Sequence, residues 1–140
     1  DDAPTVIRAT LAEDGVVAGA FRTRTVDDCG GSWLDPLLPL ADLRASYTHL
    51  PYGDQALFVR RSAFDRVGGY PDQPLFEDLE LARRLWTVGR IAIAPGRVRV
   101  SARRYLRHPL RAALAMNTFP VLYRTGLVSV ERLARWYAAG

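Results

Sequence analysis

The spacing of apolar positions along the chain changes period several times. Val6, Ile7, Thr10 and Leu11 recur at helical intervals behind Asp2 and Pro4, which predicts a first helix with Asp2 as its N-cap and Asp14-Gly15 as its end. Val16 to Phe21 is a short unbroken apolar run, as in a buried strand. Arg22 to Val26 continues it with alternating charge. Asp27 to Ser32 reads as a loop, and the leucine-rich Trp33–Leu50 as a helix interrupted by Pro36 and Pro39. A strand is expected over Ala56–Val59. Ser62-Ala63-Phe64-Asp65 has the form of a capping box for a short helix that Gly68-Gly69 ends. Leu81, Leu85 and Val88 follow Asp78 on one helical face, and Gly89 suits the residue after a helix end. Ile91–Ala94 reads as a strand, Pro95-Gly96 as a turn, and Val98 and Val100 between Arg97 and Arg99 as an exposed strand. His108-Pro109 opens a helix with Leu110, Ala113, Leu114, Asn117 and Val121 on one face, which Pro120 should kink or end. Ser129 caps a last helix carrying Val130, Leu133, Trp136 and Tyr137 on its apolar side. Helices and strands alternate, so the class is α/β. No repeat, low-complexity tract or linker divides the 140 residues, which read as a single domain.

Composition narrows the class. An apolar content of 49% supports a real core and excludes a disordered chain. No apolar run approaches the roughly 20 residues of a membrane span, and the opening Asp1-Asp2-Ala3-Pro4 lacks a signal-peptide pattern. The single Cys29 excludes an internal disulfide and a cysteine metal cluster. These features suit a cytoplasmic protein, with peripheral contact at the inner membrane face an open option for the two amphipathic C-terminal segments. Charge is divided unevenly: residues 1–55 carry nine acids and four arginines, residues 56–140 six acids and fifteen arginines. There is no lysine, and from Arg83 to Arg111 nine arginines occur without one acid. A GC-rich genome accounts for arginine over lysine. A run of planar, bidentate cations also favours a polyanionic partner such as a diphosphate, a nucleic acid or an anionic lipid surface.

The chemistry-bearing residues centre on Glu77-Asp78. Asp78 heads the apolar face of the predicted helix, with Glu77 on the other side in line with Glu80 and Arg84. An inward carboxylate at a helix start has the placement of a general base. The same pair is also ordinary first-turn capping chemistry. Glu77 can orient Asp78 or Arg84, or stand in solvent. Gly53-Asp54-Gln55 precedes a strand: the glycine permits close backbone approach to a ligand, and Asp54 and Gln55 can bind sugar hydroxyls, or the tripeptide is a turn. His49 and His108 stand apart from each other and read as loop or capping residues.

Five segments in order carry a resemblance: Gly53-Asp54-Gln55, Phe58-Val59-Arg60-Arg61, Gly68-Gly69-Tyr70-Pro71, Glu77-Asp78-Leu79-Glu80-Leu81 and Ser101-Ala102-Arg103-Arg104. Over roughly residues 15 to 137 the chain resembles the C-terminal half of family 2 glycosyltransferases of GT-A fold, the small bacterial type above all. The resemblance implies a partial GT-A fold: a mixed sheet with flanking helices and a C-terminal helical segment, without the N-terminal nucleotide-binding half. It implies an inverting transfer from a nucleoside diphosphate sugar to an acceptor hydroxyl, saccharide or lipid-linked, with Asp78 as base and Mg²⁺ or Mn²⁺ as cofactor. Asp2, where the metal motif of relatives would end, is the candidate metal residue. Arg104 and Tyr105 match the Arg-aromatic pair of the Q-x-x-R-W motif of processive relatives, while Ser101 replaces its Gln and Tyr105 its Trp. Arg103, Arg104 and Tyr105 are the substrate-side candidates, with Arg104 facing the site if the segment is extended.

The rival class is a basic, non-enzymatic module for nucleic acid or an anionic surface; an inactive glycosyltransferase-like subunit is a third reading. Single-strand binding calls for interleaved aromatics, and the arginine-rich stretch holds only Trp86 and Tyr105, which disfavours nucleic acid. An enzyme requires Asp78 in a concave pocket, whereas the rival requires a convex arginine face.

Overall fold

The computed structural model describes residues 2–28, 50–103, 106 and 109–138, apart from the side chain of Arg111. The expectations for Cys29, the Trp33–His49 stretch, Arg104, Tyr105 and His108 lie outside the described residues.

Among the described residues three strands form a mixed sheet in the order β2-β1-β3, where β1 is Val16–Val26, β2 Phe58–Val59 and β3 Arg90–Ser101. β2 runs antiparallel to β1, with Gly19 opposite Phe58. β3 runs parallel to β1, from Val16 opposite Arg90 to Val26 opposite Ser101. The first half of β1 is buried on both faces, which explains its unbroken apolar run. Gly19 is required there: a Cβ would stand 2.4 Å from Cζ of Phe58. Five helices accompany the sheet among the described residues: α1 (Ala3–Ala12), α2 (Arg61–Arg66), α3 (Glu77–Leu85), α4 (Pro109–Thr125) and α5 (Val130–Ala138). The α/β class and the mixed sheet therefore agree with expectation, as does Asp2, whose carboxylate caps α1 by accepting from the N–H of Thr5 at 3.0 Å.

One core cluster joins the sheet to α2 and α3. Ala18, Ala63, Leu81, Ala82, Leu85 and Ile91 are buried together, with Val59, Phe64 and Val67 packed against them. Full burial of Leu81 and Leu85 contributes about 1.5–3 kcal/mol each. Arg60 ties the sheet to α1: its N–H donates to Val17 O at 2.8 Å and its Nε to Val16 O at 2.8 Å, while its Nη2 reaches Leu11 O.

Several local expectations are corrected. β2 covers only Phe58–Val59, because Ala56 adopts a left-handed conformation (φ 50°). The capping box at Ser62 does not form; the N-cap of α2 is Arg60, without a side-chain cap, and Asp65 pairs with Arg61 one turn back at 2.9 Å. α3 ends at Leu85 with Trp86 as C-cap. Gly89 serves close packing instead, since a Cβ there would lie 2.3 Å from Cγ1 of Val17. Trp86 is exposed. Pro95-Gly96 is not a turn between strands but a bulge within β3: Ala20 pairs with Ile93, and two residues on Arg22 pairs with Arg97. Gly96 takes the φ of +107° that the bulge needs.

The C-terminal helices differ most. α4 runs unbroken through Pro120, although the ring removes the N–H that would reach Met116. Leu110, Leu114 and Val121, which their spacing places on one face, point to solvent, and Leu110 is 87% exposed. The inward side is Ala112, Ala115, Met116, Phe119 and Pro120. Apolar residues surround this helix almost completely, so its pattern does not single out a face. Ser129 does cap the start of α5, its Oγ accepting from Arg132 N–H at 3.4 Å. Leu133 is buried, and Trp136 lies 6.3 Å from Phe119 between ring centroids.

Candidate active site

The inward side of α4 stands off from one face of the sheet and encloses a cavity of about 420 Å³. Thr23 and Thr25 of β1 and Val100, Ser101 and Ala102 of the β3 end line it on the sheet side. Tyr52 and Asp54 come from the 3-10 turn Gly53–Gln55, of which Tyr52 is the N-cap, and Leu75 to Asp78 from the entry to α3. Tyr137 of α5 closes part of the rim. One wall therefore carries hydroxyls and carboxylates and the other is apolar, the usual composition of a small-molecule site.

Asp78 lies on this cavity, half-buried in the first turn of α3. Its Oδ2 accepts from the N–H of Gly53, and its Oδ1 from the N–H of Leu79 at 2.7 Å. Two N–H groups thus fix the carboxylate plane. Gly53 is needed at this contact, because a Cβ would meet Oδ2 at 3.1 Å. The sequence reading had Gly53 make room for a ligand; the structure has it make room for Asp78. The two motifs, 25 residues apart, form one unit.

Strained backbone flanks both. Among the described residues the non-glycine positions with positive φ are Ala56 (φ 50°), directly after Gly53-Asp54-Gln55, and Phe76 (φ 63°), directly before Glu77-Asp78. A left-handed non-glycine residue costs roughly 1–3 kcal/mol and persists only where its surroundings hold it. Phe76 is held by its ring, 5.1 Å from that of Tyr123 on α4.

The remaining candidates separate into those at the cavity and those elsewhere. Asp54 and Glu77 line it and are exposed. Gln55 does not: it is 1% exposed, its Nε2 donates to Phe21 O at 3.2 Å and its Oε1 accepts from Tyr52 N–H at 3.0 Å. Its amide holds the loop against β1 and is not offered to a sugar hydroxyl. Arg103 is exposed and absent from the cavity lining. Its backbone is helical, and Leu106 N–H bonds back to Ala102 O at 2.8 Å, so the strand ends at Ser101, before Arg103.

Arg84 pairs with Glu80 at 3.1 Å, not with Glu77. Glu80 also takes Arg83 at 2.8 Å, and its side chain is only 13% exposed. The hydrogen bond from Arg83, aided by Arg84, lowers the Glu80 carboxyl to about 2. Tyr123 Oη sits 3.5 Å from Glu80 Oε2 and 3.4 Å from Gln73 Nε2, which joins α4 to the start of α3. The sequence reading missed Glu80 and Tyr123 as the link between α3 and α4. It also missed Thr23, Thr25, Met116 and Phe119 as walls. Period-2 exposure in β1 signalled the threonines; nothing local signalled Tyr123.

Asp2 is engaged at its own helix, where the Thr5 bonds lower its carboxyl. Among the described residues no three His, Cys, Asp or Glu side chains come together as a group that could hold a metal ion. No family model, no curated protein and no solved structure matches the chain.

Proposed function

We propose that the chain is the acceptor-side, catalytic-base part of an inverting glycosyltransferase that uses a nucleoside diphosphate sugar. The observation that carries this reading is Asp78, oriented by Gly53 N–H at the edge of a cavity large enough for a small hydroxyl compound. In the transfer, a carboxylate oxygen of Asp78 takes the acceptor hydroxyl proton as that oxygen bonds to the anomeric carbon. The bond from that carbon to the diphosphate breaks, and its electron pair leaves with the diphosphate. Asp54 and Glu77 at the rim and Thr23, Thr25 and Ser101 on the sheet wall offer hydrogen bonds to the acceptor, and the α4 wall its apolar contact. A saccharide or a lipid-linked hydroxyl compound both suit such a lining. Arg104 and Tyr105 remain proposed donor-side residues. Among the described residues no helix is long and apolar enough to cross a membrane; peripheral contact is proposed for the exposed Leu110, Leu114 and Val121 of α4.

The test is Asp78→Asn in the full-length protein. Loss of a general base should lower kcat by roughly 10²–10⁴-fold with the fold unchanged by circular dichroism. Turnover within about threefold of wild type removes Asp78 from the base role.

A further inference from the structure

The sheet face away from the cavity carries charge. Along β1 and β3 the register sets Arg22 opposite Arg97 and Arg24 opposite Arg99. All four are exposed, while the residues between them alternate to the other face, where Thr23, Thr25 and Val100 line the cavity. Neighbouring strands lie about 4.8 Å apart, and alternate residues of one strand about 6.6 Å apart. Four arginine stems therefore rise from the corners of a frame of about 5 by 7 Å. Like charges set directly opposite across a parallel or antiparallel pair oppose strand pairing. Among the described residues none of the four guanidinium groups has a hydrogen bond or an ion pair to offset this, whereas Arg60, Arg61, Arg83, Arg84 and Arg90 all do.

We propose that this quartet is a binding site for a ligand with two linked phosphoryl groups. Each cross-strand pair presents two planar forks to one phosphoryl group, a match that guanidinium makes bidentately. The frame suits a compact diphosphate better than a long polyanion, because the arginines form a closed quartet rather than a stripe. The site is separate from the Asp78 cavity, on the opposite side of the sheet, and does not depend on the proposed transfer reaction.

Isothermal titration at low ionic strength decides it, with inorganic pyrophosphate as probe and the full chain in the cell. Pyrophosphate should bind saturably and at least about tenfold tighter than orthophosphate, which can engage only one arginine pair. Arg22→Gln/Arg97→Gln should lower pyrophosphate affinity by about tenfold or more, and replacing all four should abolish it. Arg22→Lys/Arg97→Lys, which keeps the charge and removes the forks, should lose most of that affinity. Removing like charges should leave the melting temperature equal or higher. Adenosine diphosphate binding as pyrophosphate does would assign the site to the diphosphate group alone; binding more than tenfold tighter would make a nucleotide the source. The proposal is overturned by any of three results: no saturable pyrophosphate binding, an equal loss in Arg66→Gln/Arg124→Gln, or tighter binding of duplex DNA or phosphatidylglycerol vesicles through the same four arginines.

Discussion

Gly53 and Asp78 show how far single residues can be read. Asp78 was legible because its helical phase with Leu81 and Leu85 turned it inward. The role of Gly53 was not, because its neighbour in space is 25 residues away, and a glycine in a chain does not say what it makes room for. Gln55 misled for the same reason: a polar side chain looks available until its partners, Phe21 O and Tyr52 N–H, are known. The Gly53 contact gives a sharp expectation. In Gly53→Ala the new methyl group must sit 3.1 Å from Oδ2 of Asp78, closer than ordinary contact, so the carboxylate or the loop shifts by a few tenths of an ångström. Misplacement of about 1 Å costs about 10²-fold in rate, so a smaller shift should lower kcat by roughly tenfold. The donor KM and the thermal midpoint should stay near wild type. A change confined to KM would mean that Gly53 serves binding and not the orientation of Asp78.

At the scale of elements, long periodic segments were legible and breakers were not. α1 and α3 follow their apolar spacing, since each buries one stripe on the sheet. Pro95-Gly96 and Pro120 looked like interruptions, yet β3 and α4 pass through both. Tertiary pairing with β1 absorbs the first as a bulge, and packing of a buried Pro120 retains the second. Glu80 belongs to this scale, because it links α3 to α4 through Tyr123. Its carboxyl is lowered from the ordinary 4.5 to about 2, chiefly by the hydrogen bond from Arg83. A lowered carboxyl stabilises the fold when ionised, so the contribution is complete above about pH 4.5 and is lost as the pH falls towards about 2. Arg83 is 64% exposed, and solvent screening reduces the contribution to about 2 kcal/mol. Urea denaturation across that pH window should show this acid limb in the wild type and a shallower one in Glu80→Gln. Identical limbs would place the acid sensitivity elsewhere.

On the scale of the whole molecule, the sheet divides two chemistries: a half-apolar cavity with Asp78 on one face and four arginines on the other. The alternation of Arg22, Thr23, Arg24 and Thr25 announced that division in the sequence. The cavity itself was not legible, because α4 turns Ala112 and Ala115 toward it and not the leucines its pattern favoured. Those alanines keep space open between helix and sheet. If the acceptor occupies that space, its size is set at Ala115. Ala115→Phe should fill much of the cavity with little strain, since the ring enters open volume and adds apolar contact. Acceptor KM should rise or kcat/KM fall by at least about tenfold, the effect of losing roughly 1.4 kcal/mol of binding, while donor binding and the thermal midpoint stay close to wild type. Leu114→Phe, one residue away on the exposed side of the helix, should be silent. Steady-state kinetics with the acceptor varied compare the two variants directly. Equal acceptor KM in Ala115→Phe and wild type would show that the acceptor binds outside this cavity, and Asp78 would then lack the substrate that its placement requires.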